Sequence, residues 1–256
     1  IDSAVGVIQD DVYQARPGFS FQEMQDVALV EVLRGPQGTL FGKNTTSGVI
    51  KITTNAPDLE EFSGNVQGVA ANYDALEIRG VVNIPIIKGK LGARISGFNA
   101  ERDGYTENRF NDEETRSTDR HGGRAKLRWD ATEALRLDFS YEDLRQSSDL
   151  DSALVEYGPT SISQLTSRGL SPADYPLELG KTQEDIHGRS WDDLQRYIGR
   201  LEYDANESVV LKLIVASEKL ETLILNDQNR NITTAGLPAG LQNFNRQEIT
   251  TIEGQI

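Results

Sequence analysis

The chain has no cysteine, which removes disulfide frameworks, thiolate zinc sites and cysteine nucleophiles together. Its two histidines, His121 and His187, stand 66 residues apart, too far for a paired metal motif on one helix or hairpin. No window holds eighteen consecutive apolar residues, so no transmembrane helix is expected, and Ile1-Asp2-Ser3 opens no basic-then-apolar leader. Basic residues are scarce: 26 Lys and Arg face 40 Asp and Glu, a formal charge of −14, which argues against nucleic acid as a partner. None of this excludes a membrane β-barrel, whose strands need only about ten alternating residues each.

What is present is length and alternation. The 256 residues suffice for a sizeable core. Residues 1–57 read as short β-rich pieces broken by Gly and Pro, with a helical turn expected around Ser20 to Val27. From residue 58 the period becomes two: Leu135, Leu137, Phe139 and Tyr141 share one face, and Arg136, Asp138, Ser140 and Glu142 the other. The run from Arg196 to Asp204 behaves likewise, with Ile198 an apolar exception on its polar face. Strands are expected at 60–73, 75–85, 91–102, 117–130, 135–145, 193–204, 208–218 and 247–255. The links after the first turn measure 5, 14, 4, 47, 3 and 28 residues, short alternating with long.

A meander with short links at one end and long links at the other fits an outer-membrane barrel with tight periplasmic turns and long external loops. Charges on one strand face suit a wet interior. The opposite face, with Trp129, Tyr141 and Tyr203 expected near strand ends, suits lipid. The competing architecture is a soluble β-sandwich serving as a carbohydrate-binding or hydrolase domain. Neighbouring carboxylates such as Asp149 with Asp151, or Asp192 with Asp193, are poor catalytic pairs, because nothing in the sequence desolvates one partner to raise its pKa. No catalytic residue, metal ligand or cofactor site is expected.

The stretch Val30 to Thr54, VEVLRGPQGTLFGKNTTSGVIKITT, fails as a phosphate cradle, since Gly42-Lys43 follows Gln37 by five positions and precedes Asn44. It reads instead as a strand, a tight turn at Gly35-Pro36, a loop punctuated by Gly38 and Gly42, and a second strand from Gly48 onward. This segment closely resembles the plug signature of TonB-dependent receptors, the outer-membrane importers of Gram-negative bacteria. The flanking VGVIQDDVYQ and FQEMQDVALVEVLRGP resemble the same plug, and APDLEEFSGNVQGVAANY its passage into the first barrel strand.

The resemblance implies a barrel of ~22 strands around a plug. It implies import of a scarce ligand, typically a ferric siderophore, with cobalamin and oligosaccharide as other cargo, driven by the partner TonB. Residues 1–57 then correspond to the second half of the plug, and 58–256 to about eight strands of the barrel. Both ends of the chain read as cuts, and no TonB box is recognisable. A same-fold receptor used for signalling is also consistent. Arg34 is expected as a latch from plug to wall, Glu248 being one partner for it. Tyr13, Arg16, Phe19 and Phe21 offer a cation and ring faces for an anionic, aromatic metal chelate, while the 47-residue link carries eight acidic and three basic residues.

Overall fold

A computed structural model describes residues 4–14, 24–38, 45–108, 112–150, 181–182, 188–227 and 240–256, with positions 162, 163, 166, 167, 169, 171 and 173. The described strands are β1 (Val5–Gln9), β2 (Val12–Tyr13), β3 (Val27–Arg34), β4 (Gly48–Thr54), β5 (Ser63–Ala71), β6 (Ala75–Ile87), β7 (Leu91–Arg102), β8 (Thr106–Asn108), β9 (Glu113–Thr115), β10 (Thr118–Asp130), β11 (Leu135–Leu150), β12 (Lys181–Thr182), β13 (Gly188–Asn206), β14 (Val209–Asp227) and β15 (Gly240–Gln255).

The first four strands form one sheet in the order β2-β1-β4-β3, with β1 and β4 parallel from Val5 opposite Gly48 to Gln9 opposite Ile52. Parallel central strands are covered on both faces, and accordingly Val7, Ile8, Val49 and Ile52 are buried. The β1–β2 hairpin turns on Asp10 and Asp11, both left-handed at φ 48° and 65°, as a two-residue turn requires and as Asp tolerates. Gly48 has φ 154°, and a Cβ there would meet the Leu33 carbonyl oxygen at 2.6 Å, so β4 can enter between β1 and β3 only through a glycine.

The second sheet is an eight-stranded antiparallel meander, β15-β14-β13-β11-β10-β7-β6-β5. Its links 88–90, 131–134 and 207–208, all short, lie at one end, and the long ones, 103–117, 151–187 and 228–239, at the other together with the short β5–β6 turn at 72–74. A small third sheet, β12-β8-β9, belongs to the long-link end. The meander is not closed: among the described residues β5 and β15 each have one neighbour.

Strand β7 occupies the span expected from the sequence, whereas β11, β13, β14 and β15 run five to nine residues further at one end. The β13 extension carries charges on both faces, Arg189 on one and Asp192 on the other, so period two fades although the backbone ladder continues. Strand β5 is shorter than expected, because Asp58 accepts from the Glu60 and Glu61 amides at 2.7 and 3.2 Å and holds the approach as a turn. The helical turn expected at Ser20 to Val27 lies partly outside the described residues; Gln25 and Asp26 form a turn, with Asp26 at φ 53°, and Val27 already begins β3. Tyr141 is not at a strand end, since β11 continues to Leu150 and Tyr141 stacks on Tyr197 at 4.8 Å in mid-sheet.

The two faces of this wall are inverted relative to a water-soluble sheet. Leu127, Trp129 and Phe139 are 40%, 47% and 48% exposed, while Arg124, Glu142 and Arg196 on the opposite face are 7%, 4% and 3% exposed. A contiguous apolar exterior over a charged interior is the reverse of a soluble sandwich and suits lipid outside and water or protein within. The four-stranded sheet lies against the charged face.

Candidate functional site: the interface between the two sheets

Contacts between the sheets gather in three places, each made of polar groups supplied from both sides. Toward the short-link end, Asp10 accepts from the Thr54 amide at 2.9 Å and the Thr54 hydroxyl at 2.6 Å, and pairs with Lys126 Nζ at 3.0 Å. Arg200 Nη2 donates to the Asp10 carbonyl at 2.9 Å and to Asp11 Oδ2 at 2.8 Å, and Lys51 also meets Asp11 at 2.9 Å. Burial pushes the Asp10 carboxyl up, but the Lys126 charge and the Thr54 hydrogen bonds outweigh it and hold the group below its ordinary range. A cavity of about 170 Å³ remains beside these residues, between the hairpin and Arg128 and Arg200 of the wall.

The second place is the turn before β3. Asp26 takes a bidentate contact from Arg94, Nε to Oδ2 at 2.7 Å and Nη2 to Oδ1 at 2.6 Å, while Asn55 Nδ2 donates to Asp26 Oδ1 at 2.8 Å. Next to it, Gln25 Nε2 donates to the Gly97 carbonyl at 2.6 Å, and Arg124 Nη1 to the Gln25 carbonyl at 3.0 Å.

The third place is built on the ladder itself. Arg124, Glu142, Arg196 and Glu218 stand opposite one another across β10, β11, β13 and β14, a row of alternating sign. Glu142 accepts from Arg124 at 2.5 Å and from Arg196 at 2.8 Å, and Arg196 reaches Glu218 at 2.9 Å. The first sheet adds two amides: Gln14 Oε1 accepts from Arg196, and Gln9 donates to Glu142 at 3.4 Å. A second alternating row, Asp130, Arg136, Glu202 and Lys212, crosses the same strands nearer the short links, with ion pairs of 2.7 and 3.3 Å at its ends.

Apolar contact across the interface is concentrated in one buried cluster, Val12 with Ile198, Ile214 and Ala216. Ile198, the exception in the sequence pattern, is thus the point where the wall receives β2. The cations in these contacts, Arg94, Arg124, Lys126, Arg196 and Arg200, come from the wall and meet carboxylates, an amide and carbonyls of the first sheet, while Gln9 and Gln25 donate the other way, to Glu142 and the Gly97 carbonyl.

Among the residues singled out from sequence, Arg34 ends β3 exposed and is followed by Gly35 at φ 83°. Glu248 accepts from Arg246 at 3.0 Å and pairs in register with Lys219, which shares the exposed wall face with Val215. Alternation therefore turns Glu248 away from the first sheet, and the structure does not bring it to Arg34. The loop after Gly35 and Pro36 is closed by Gly35 and Gln37 amides donating to Ser47 and Thr45 carbonyls at 3.1 and 2.9 Å; Gly38 lies in it, exposed. Tyr13 is half-buried opposite Ile8. Gly42, Arg16, Phe19 and Phe21 lie outside the described residues.

The carboxylate pairs separate as well. Asp149 accepts from Arg189 at 3.0 Å and from Ser117, Asp151 lies outside the described residues, and Asp192 and Asp193, adjacent on β13, point to opposite faces. Among the described residues no three His, Cys, Asp or Glu side chains gather to hold a metal.

Solved structures place this arrangement. The ferric yersiniabactin uptake receptor of Yersinia pestis superposes with a TM-score of 0.71 over 87% of this chain and 33% of its own, at 22% identity. A siderophore receptor of Acinetobacter baumannii, PiuA, gives 0.66 over 87% of this chain and 30% of its own at 14% identity. The ferric-catecholate import receptor of Escherichia coli, in its open form, gives 0.65 over 98% and 38% at 15% identity. The fold is that of the TonB-dependent outer-membrane receptors. In that fold the four-stranded sheet is plug and the meander is barrel wall. In sequence, the pesticin receptor of Yersinia enterocolitica is 35% identical over 85 residues, 33% of this chain and 12% of its own length. The chain thus spans about an eighth of the curated relatives it matches and about a third of the solved receptors. No protein-family model matches it.

Sequence reasoning missed the residues that join plug to wall in this receptor fold. A signal for them existed: Asp10 and Asp26 each follow a glutamine at a break in the plug strands, while Arg94, Arg124, Lys126, Arg196 and Arg200 recur at inward positions of the alternation.

Proposed function

We propose that this chain is part of a TonB-dependent receptor that imports a scarce ligand, in the first instance a ferric siderophore, across the outer membrane. Residues 1–57 form the later half of its plug, and residues 58–256 the strands that begin its barrel. The observation that carries this reading is the inverted wall with a plug fastened to its wet face by hydrogen bonds and ion pairs. Each such contact contributes about 0.5–3 kcal/mol net, and water replaces it as the plug moves. A plug so held blocks passive leakage and still yields to mechanical work, which is the task a TonB-coupled gate performs. Its chemistry is binding, gating and release, with no bond made or broken in the cargo.

The cargo class is supported by the named functions of the three neighbours above, a ferric yersiniabactin uptake receptor, a siderophore receptor and a ferric-catecholate import receptor. The test is uptake of radiolabelled ferric chelates by iron-starved cells lacking the full gene. Uptake is expected to vanish on deletion, to return with the intact gene, and to stop when a protonophore collapses the proton gradient. Uptake that survives the protonophore would mean passive diffusion and would sink the energy-coupled reading.

A further inference from the structure

The chain that joins plug to wall changes its attachment within two residues. Asn55 is still held by the plug: its amide donates to the Asp26 carbonyl at 2.9 Å and its Nδ2 to Asp26 Oδ1 at 2.8 Å. Asp58 is already held by the wall. Asn83 of β6, fully buried, accepts from the Asp58 amide at 2.8 Å and donates through Nδ2 to the Asp58 and Glu61 carbonyls at 2.9 and 2.8 Å. At the short-link end the Gly89 amide donates to the Leu59 carbonyl at 2.9 Å. Leu59 also lies so close over Gly92 that a Cβ there would meet its Cδ2 at 2.9 Å.

The two holdings differ in kind. Asn83 grips three backbone groups with neutral, directional bonds from a buried side chain, where water has no ready access to replace it. The neighbouring plug contacts are ionic instead, Asp26 with Arg94 and Asp10 with Lys126. Lys88 and Glu60, exposed and 3.7 Å apart, add little to the grip. Between the holdings stand Ala56, exposed, and Pro57, which has no N–H to tie it back to β4. Both line the cavity of about 170 Å³ beside the hairpin, so space is present next to the joint.

We propose that Ala56-Pro57 is the pivot of the gate, and that residues 58–61, clamped by Asn83, stay on the wall while the plug sheet swings from it. This rests on the import reading and adds to it where the motion stops. The ionic contacts part, the Asn83 contacts do not, and the displaced sheet remains on a leash whose fixed end is Asp58.

The absence of cysteine allows the two sides of the pivot to be bridged separately in the full-length protein, in the oxidising periplasm. L59C with G92C ties the clamp to the wall, and V12C with I198C ties the plug to it through their shared apolar cluster. Radiolabelled iron is offered to cells as catecholate and hydroxamate chelates, before and after reduction of the bridge. The bridged clamp should import as well as its reduced form. The bridged plug should lose about tenfold or more and recover on reduction. Loss of uptake in the bridged clamp overturns the fixed end, and full uptake with the plug bridged overturns the swing. Should the clamp variant fail to insert, Asn83→Ala decides: cleavage by a glutamate-specific protease at Glu60 and Glu61 should rise about tenfold while the barrel keeps its compact electrophoretic form. Unchanged cleavage overturns the clamp. Absence of energy-dependent uptake in the unmodified protein removes the import reading itself, and the cleavage experiment still reads the clamp.

Discussion

The junctions between wall strands and the junction between wall and plug are made of different material. Strands β11 and β13 are joined by an unbroken register from Leu135 opposite Tyr203 to Leu150 opposite Gly188. Among the described residues no ladder joins the plug sheet to the wall, only side chains and single carbonyls around Asp10, Asp26 and Glu142. Backbone hydrogen bonds facing lipid have no water to replace them, so breaking the wall is costly at every residue. The plug contacts lie on the wet side, where water replaces each partner in turn. One boundary is a continuous ladder and the other a set of separate contacts, and both are cut from the same strands.

Four substitutions test that contrast in the full-length protein. The largest effect belongs to Glu142→Ala, which leaves Arg124 and Arg196 buried without their shared carboxylate; a loss of about 3–5 kcal/mol is expected, read by thermal unfolding. An unchanged melting temperature would mean that the charged row does not bind the wall strands to one another. Gly48→Ala forces a Cβ against the Leu33 carbonyl at an unfavourable φ and should cost about 3 kcal/mol. That loss should be confined to the plug: limited proteolysis cuts residues 4–54 faster while the barrel keeps its compact electrophoretic form. Equal damage to both would show that plug and wall unfold as one unit.

Asp10→Asn removes the charge that faces Lys126 and weakens the Thr54 contacts, for about 1.5–3 kcal/mol of plug attachment. Because the folded carboxyl titrates below its ordinary value of 3.8, its contribution is complete above that pH and is lost as the pH falls through the lowered value. Proteolytic release of the plug on acidification should therefore shift in the variant and, below both values, converge with the unmodified protein. The smallest effect is Arg34→Ala, within about 0.5 kcal/mol, because the side chain is exposed and Glu248 is turned to the other side of the wall. A marked loss of plug protection there would reveal a partner for Arg34 beyond the described residues.

The legible parts of the sequence were those where one face meets lipid. From Arg124 to Asp130, Ala125, Leu127 and Trp129 alternate with polar residues and mark the strand, although its first six residues, Thr118 to Gly123, offer no such period. Where both faces meet water, as in β13 around Asp192-Asp193, the ladder persists without a hydrophobic period to announce it. The plug junction was legible only as unpaired halves. Inward arginines could be counted on the wall and aspartates at plug turns, but which met which depends on how two sheets stack, and that leaves no local trace. Arg34 drew notice because it sits in a conspicuous turn, whereas Gln14 and Gln25, common residues in unremarkable places, carry buried contacts. Ile198 was the useful anomaly, an apolar residue where charge was expected because β2 lands there.

The alternating rows have a consequence for anything that travels past them. Arg124, Glu142, Arg196 and Glu218 change sign at every strand, about 4.8 Å apart, and Asp130, Arg136, Glu202 and Lys212 do the same. The potential of such a striped surface cancels within roughly one stripe, so a solute more than a few ångströms away meets neither a well nor a barrier. With the plug displaced, the two rows would stay electrostatically quiet, while Arg94, Lys126 and Arg200, parted from Asp26, Asp10 and Asp11, would stand as cations without those partners. On the import proposed above, a traveller along this side of the wall would be sensed at the vacated plug contacts and not at the rows between them.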